Sequence, residues 1–265
     1  MNEPQADTIP PLPDNSAPMP LSARLLNVIV SPGEVFDAVK ASQFAASNWA
    51  VPAVALVVIS WVCSFLIFSQ PAIEQQIREL ASRAIEQQVA SGKMPRQQAG
   101  QVQAVAEKWG VLGAKIAAYV SPPFIAVVAA FGWGLVVWLI GTKVFKADFG
   151  YLKAVEVSGL AAMISTLDAL VRSLLILITG NLFAAISPAL LVQNFDAQNP
   201  VHQVIALFNL LAIWALAVRA TGLARLTGKG FGKSAAWIFG LWLGYNALAI
   251  GGAALMTFVF ARPHP

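Results

Sequence analysis

The sequence predicts an all-α, polytopic membrane protein: five transmembrane helices, with an extracytoplasmic helical hairpin between the first and second. Three observations carry this expectation. Of 265 residues, 57% are hydrophobic and only 11% are charged, whereas a soluble domain has roughly 25% charged residues. Charge this scarce cannot cover a particle of this size in water, and the mean hydropathy of +0.67 agrees. The apolar residues also gather into five runs, each suited to a hydrocarbon core of about 30 Å at about 1.5 Å per helical residue. Finally, the runs lack the polar/apolar alternation of barrel strands, so helices are left as the spanning structure that satisfies its own backbone.

Residues 1–20 hold Pro4, Pro10, Pro11, Pro13, Pro18 and Pro20 among small polar residues. With backbone donors removed and little to bury, this stretch predicts a disordered cytoplasmic tail, either solubilising or carrying a short partner motif. No apolar stretch follows a basic start, so no cleavable signal is expected and the first span serves as its own insertion signal.

Residues 21–47 predict an amphipathic interfacial segment. Ser31-Pro32-Gly33-Glu34 reads as a helix start, with Ser31 as N-cap, Pro32 at the first position and Glu34 closing a capping box. Val30, Val35, Phe36 and Val39 make one apolar face, with Glu34, Asp37 and Lys40 opposite. Upstream, Leu21, Leu25, Leu26 and Ile29 with Arg24 form another short amphipathic piece. Such segments lie in the membrane interface or pack as cytosolic helices on a loop.

The five spans run over about 49–68, 116–140, 154–179, 201–218 and 235–260. Glu156, Asp168 and Arg172 interrupt the third. Leu182 to Val192 is apolar but short and broken by Pro188, so it is expected along the outer interface rather than as a sixth span. Pro122-Pro123 should kink or restart the second span.

Between the first two spans, residues 69–115 predict the polar hairpin. Pro71 opens a helix with Ile73, Ile77, Leu80 and Ala84 on one face, and Glu74/Arg78 and Glu79/Arg83 spaced four apart. After Ser91-Gly92, Pro95 begins a second helix with Ala99, Val102, Ala106 and Trp109 in line.

Lys143, Lys146 and Lys153 crowd the connection between spans two and three. Arg219, Arg225, Lys229 and Lys233 crowd the one between spans four and five, and the connection between spans three and four has no lysine or arginine. Short basic loops stay in the cytoplasm, so the amino terminus is expected inside and the carboxyl terminus outside. The six basic residues of the hairpin run against that rule.

Charged groups at mid-bilayer cost about 2.5–3.5 kcal/mol each on insertion scales and need partners. Asp168, Arg172, Asn209 and Asn246 form a candidate intramembrane cluster, joined by Ser165, Thr166 and Tyr245; it either lines a solute path or is a structural lock. In the fifth span, Ala236, Gly240, Gly244, Ala247 and Gly251 recur on one helix face, a candidate packing face for an internal helix or a second copy.

Motifs of chemistry fail. Thr227-Gly228-Lys229-Gly230-Phe231-Gly232-Lys233-Ser234 has threonine where a phosphate-binding loop needs glycine, and no strand precedes it. His202 and His264 are far apart, without acidic or cysteine companions at ligand spacing. Cys63 has no basic neighbour, and no serine sits in a nucleophile elbow. The net charge of +4 is too small for a nucleic-acid reader. No cofactor, metal, enzymatic activity or small-molecule substrate is expected.

Several stretches together resemble the Yip-one (Ypt-interacting protein) domain family in its bacterial branch. They are Arg24-Leu-Leu-Asn-Val-Ile-Val-Ser-Pro-Gly-Glu-Val-Phe36, the polar hairpin, and Phe149-Gly-Tyr-Leu-Lys-Ala-Val-Glu-Val-Ser-Gly-Leu160. Phe208-Asn-Leu-Leu-Ala-Ile-Trp-Ala-Leu-Ala-Val-Arg-Ala-Thr-Gly-Leu223 and Gly228-Lys-Gly-Phe-Gly-Lys-Ser-Ala-Ala236 complete the set. The resemblance covers roughly residues 21–260. It implies five spans, a cytoplasmic amino terminus and no known enzymatic activity. Eukaryotic members bind Rab GTPases in vesicle traffic, machinery that a bacterium lacks, so that role is not carried over. The expected function is a multi-pass protein of the bacterial inner (cytoplasmic) membrane that scaffolds membrane partners, self-associates or organises lipid. The alternative is a small-solute carrier or channel built on Asp168, Arg172, Asn209 and Asn246.

Overall fold

A computed structural model describes residues 19–192, 195–196 and 199–260, with side chains described as far as Gly252. Most of the proline-rich tail, and His264, lie outside the described residues. Among the described residues there is no strand. The helices are α1 (Leu21–Val30), α2 (Pro32–Ala41), α3 (Ser47–Phe68), α4 (Pro71–Ala90), α5 (Arg96–Leu139), α6 (Tyr151–Thr179), α7 (Pro200–Leu207), α8 (Leu210–Thr227) and α9 (Phe231–Phe260). Five of them, α3, α5, α6, α8 and α9, are long and apolar enough to cross a membrane. The Leu182–Val192 stretch contains only a short 3-10 turn, Pro188–Leu191.

The helix α6 is the centre. Residues 154–162 are buried without a break, which on a helix means enclosure on every side. α3 runs parallel to α6: Asn48 meets Glu156 at one end, and Gln70 donates to the Leu177 carbonyl at the other. α5 is antiparallel to α3, since the Trp49 ring packs on Phe131 while Trp61 donates to the Tyr119 carbonyl. α8 is antiparallel to α6, pairing Gly222 with Val157 and Asn209 with Asp168. Successive spans therefore alternate. One end of the bundle gathers α1, α2 and the α5–α6 and α8–α9 connections with Lys143, Lys146, Lys229 and Lys233; it is called the basic end below.

The amphipathic segment 21–47 packs against the bundle at its basic end. Val28, Val35, Phe36 and Val39 have no exposed surface and pack with α6 and α8. Trp214 donates to the Ile29 carbonyl, Lys40 to the Arg225 carbonyl, and Arg225 pairs with Asp37 at 3.1 Å. These contacts spread over about 16 Å of α8. Gly222 makes room, because a Cβ there would run into Val157 and come within 3.3 Å of the Phe36 ring. Leu26 and Val30 remain exposed along an outer edge, as do the polar Glu34, Asp37 and Lys40. Ser31 stands at the N-cap position of α2, but its side chain makes no capping hydrogen bond.

The fourth span is displaced from the expected 201–218. α7 ends at Leu207, and Asn209 starts a new helix by accepting from the amides of Leu211 and Ala212 at 2.9 and 3.1 Å. A cap of this kind satisfies amides that the preceding turn cannot. Hydropathy runs straight through it, so the apolar stretch looks continuous although the helix is not. The second span differs in the other direction. α5 is one unbroken helix of 44 residues, Arg96–Leu139, with Pro122-Pro123 inside it, so of the kink or restart expected there the helix does not restart; in a membrane, neighbouring helices and local adjustments re-satisfy the backbone groups that a proline frees. It is about 66 Å long, roughly twice a hydrocarbon core.

The polar first part of α5 lies against α4 in opposite direction. Lys115 meets Glu74 at 2.6 Å, Arg78 donates to the Glu107 carbonyl at 2.6 Å, and Gln103 donates to Ser82 at 2.8 Å. Glu79 pairs with Arg83 as expected, at 3.9 Å. Glu74 takes Lys115 in place of Arg78, whose guanidinium reaches across to α5. The hydrogen bond and charge of Lys115 hold the Glu74 carboxyl below its usual range.

Two outcomes follow from this packing. Gly159→Ala places a Cβ against the Trp49 backbone, which cannot turn aside, and should cost about 1–3 kcal/mol. Gly240→Ala meets nothing within 4 Å and should be neutral or stabilising by up to about 1 kcal/mol. Cys63, buried and the sole thiol, reports both through its labelling rate in detergent on heating. Because the folded Glu74 carboxyl is depressed, its contribution is complete above the ordinary carboxylate range and is lost as pH falls through the folded value. Protection of the α4 amides, after correction for the intrinsic pH dependence of exchange, should fall in acid, and Lys115→Gln should flatten that dependence.

Candidate functional site: buried polar groups of the bundle

The best-connected polar group is Glu156, in the second turn of α6 and without exposed surface. One carboxylate oxygen accepts from the Ala45 amide at 2.9 Å and from the Asn48 side-chain amide at 2.7 Å. The other lies 2.7 Å from the Lys153 ammonium, one turn earlier on the same helix. Lys153 also donates to the Val39 carbonyl at 2.9 Å, neutralising the C-terminal end of α2. Asn48, equally buried, has Arg24 of α1 at 3.5 Å from its side-chain oxygen, a long contact. One carboxylate thus ties α2, the 42–46 connection, α3 and α6. Sequence reasoning registered Glu156 only as an interruption of a span. The signal available was Lys153 three residues away, which allows an ion pair on one face.

The predicted cluster assembles in part. Asn209 donates to Asp168 at 3.0 Å, and Asp168 lies 3.8 Å from Arg172. Asn209 has its oxygen on the α8 amides and its nitrogen on Asp168, so both ends are used. Asn246 does not join: its amide donates to the Trp242 carbonyl, one turn back on α9, at 2.8 Å. Thr166 likewise bonds back to Ala162, and Tyr245 is exposed on α9. The three that do meet sit where α8 begins, rather than at mid-span as the earlier boundary implied.

The same displacement moves Arg219 the other way. The sequence assigns it to a basic loop; the structure puts it in the middle of α8, 6% exposed. Its guanidinium lies 4.8 Å from the centroid of the Trp133 ring, and its Nε has no hydrogen-bond partner. Among the described residues no carboxylate comes within ion-pairing distance of it. The candidate packing face is also placed: Gly240, Gly244 and Gly251 are exposed, with nothing of this chain within 4 Å of where their Cβ atoms would be. Among the described residues the face packs on no internal helix.

Glu156→Ala should leave the half-buried Lys153 without its partner and Asn48 without its acceptor, and destabilise by about 3 kcal/mol. Proteolytic cleavage within residues 42–46 should appear well below the temperature at which Cys63 becomes reactive. Cleavage as slow as in the wild type would refute the tie.

No curated protein and no solved structure matches the chain. The family model described as the Yip1 domain matches residues 26–254, which takes in α2 to α8 whole, the second half of α1 and most of α9. With five long apolar helices and a match over the bulk of its length, the chain is a multi-pass membrane protein that belongs to the Yip1 domain family.

Proposed function

We propose that the protein is a non-enzymatic scaffold of the bacterial cytoplasmic membrane that gathers membrane partners or organises lipid. The basic end would face the cytoplasm, in keeping with the lysines of its short connections, and the carboxyl terminus would lie outside. The observation that carries the scaffold is α9. Of its most apolar stretch 6% is buried, against 50% for α8, and its small-residue face has no neighbour. Glycine and alanine at this spacing let another helix approach to backbone distance and gain van der Waals contact that lipid tails do not match. Carrier or channel activity finds no support: Asp168, Arg172 and Asn209 satisfy one another, and Asn246 bonds to its own helix.

The test is cross-linking in native membranes. Cysteine at Gly251, in a Cys63→Ser background, should couple to a second copy or another membrane protein. Leucine at both Gly240 and Gly244 should abolish the adduct without altering thermal stability. An absent adduct, or one indifferent to leucine, would count against a scaffold working through this face.

A further inference from the structure

We propose that the groove between α5 and α9 binds one anionic phospholipid from the leaflet at the basic end. An acyl chain lies along the groove, and Arg219 is the counter-charge for the headgroup phosphate. This deepens the lipid-organising half of the function proposed above and is independent of the scaffold half.

The argument starts from the unpaired cation. A guanidinium enclosed in a membrane bundle needs a countercharge, and the Trp133 π-face supplies only part of one. The described residues offer none. At the basic end Glu156 is held by Lys153 and Asp37 by Arg225, while Glu34 and Asp148 are exposed at the surface. An anion from outside the chain fits what is missing.

Depth agrees with a lipid. Gly134, next to Trp133, packs on Val155, and Val157 packs on Gly222. The Trp133 ring therefore lies near the level of Gly222, about 8 Å from the end of α8 at Thr227. Arg219 begins one turn deeper and is drawn toward that level, the direction of the headgroups at the basic end, as long basic side chains do. Trp133 is shared. The ring under Arg219 also forms a wall of a cavity of about 480 Å³, with Val128, Gly132 and Val136 of α5 and Trp242 and Tyr245 of α9. These residues extend from near the basic end toward mid-membrane, the course of an acyl chain. On α9 Trp242 and Tyr245 stand about 100° or more around the helix from Gly240 and Gly244, with Leu241 between the groove and that face.

The full-length protein, reconstituted in phosphatidylcholine vesicles, is titrated with brominated phosphatidylglycerol or brominated phosphatidylcholine while tryptophan fluorescence is read. The anionic lipid should quench at about fivefold lower mole fraction. The difference should shrink in Trp133→Phe, vanish in Arg219→Gln, and resist excess inorganic phosphate. Gly132→Leu, at an open position with no neighbour within 4 Å, should fill the groove and remove the preference with Arg219 intact; it serves if Arg219→Gln fails to fold. Equal quenching by both lipids would mean that any tail fills the groove. Preference surviving both variants would place the charge on surface lysines, and competition by phosphate would mark a soluble-anion site. Each of these three results overturns the proposal, and none bears on cross-linking through Gly251.

Discussion

A carboxylate sealed inside a membrane bundle is the constraint around which the rest is arranged. Glu156 has no exposed surface, and hydrocarbon gives it no alternative partner, so its oxygens must be met by groups of this chain. They are met by the Ala45 amide, Asn48 and Lys153. Each partner belongs to a different part of the fold or anchors one. Lys153 carries the tie on to the end of α2 through Val39. The amphipathic amino-terminal segment is therefore part of the bundle, and the enclosed half of α6 is its axis. Gly159 and Gly222 let α3 and α2 close on that axis.

The enclosure is one-sided. Residues 154–162 of α6 and most of α8 are enclosed, whereas α9 and much of α5 present apolar side chains outward, such as Phe124, Val128, Tyr245 and Leu248. In a bilayer an exposed leucine or phenylalanine is simply solvated by lipid, so such exposure carries no functional meaning. What departs from this background is a helix face lacking side chains, and a buried arginine lacking an anion. The first forfeits contact with lipid that a second helix would restore. The second leaves a charge that the described residues do not balance. Both lie outside the Glu156 core, so the stable part of the molecule and its interacting parts are separate.

The spans were legible because insertion depends on summed hydrophobicity over a window, a quantity linear in sequence. Asn209 shows the limit. An asparagine in an apolar run reads equally as a polar group inside a span or as the cap of a new helix, and only the Leu211 and Ala212 amides on its oxygen decide. Once the helix begins there, Asn209 moves from the middle of the span to its start, and Arg219 from the following loop into the helix. One cap thus rearranges the list of intramembrane polar groups. The pairing of Glu74 with Lys115 over Arg78 is the same lesson on a smaller scale, a local rule giving way to a neighbour 41 residues distant.

The sequence by itself determined the solvent, the helical class, the number of spans, their alternation and the family resemblance, because each follows from how apolar residues are distributed along one dimension. Tertiary structure alone decided which polar groups meet, that α1 and α2 enter the bundle, and that the glycine face of α9 is left uncovered. These depend on which helix lies beside which. A side chain's partner in hydrocarbon is chosen by position in three dimensions, and periodicity along a helix names the face without naming what stands opposite.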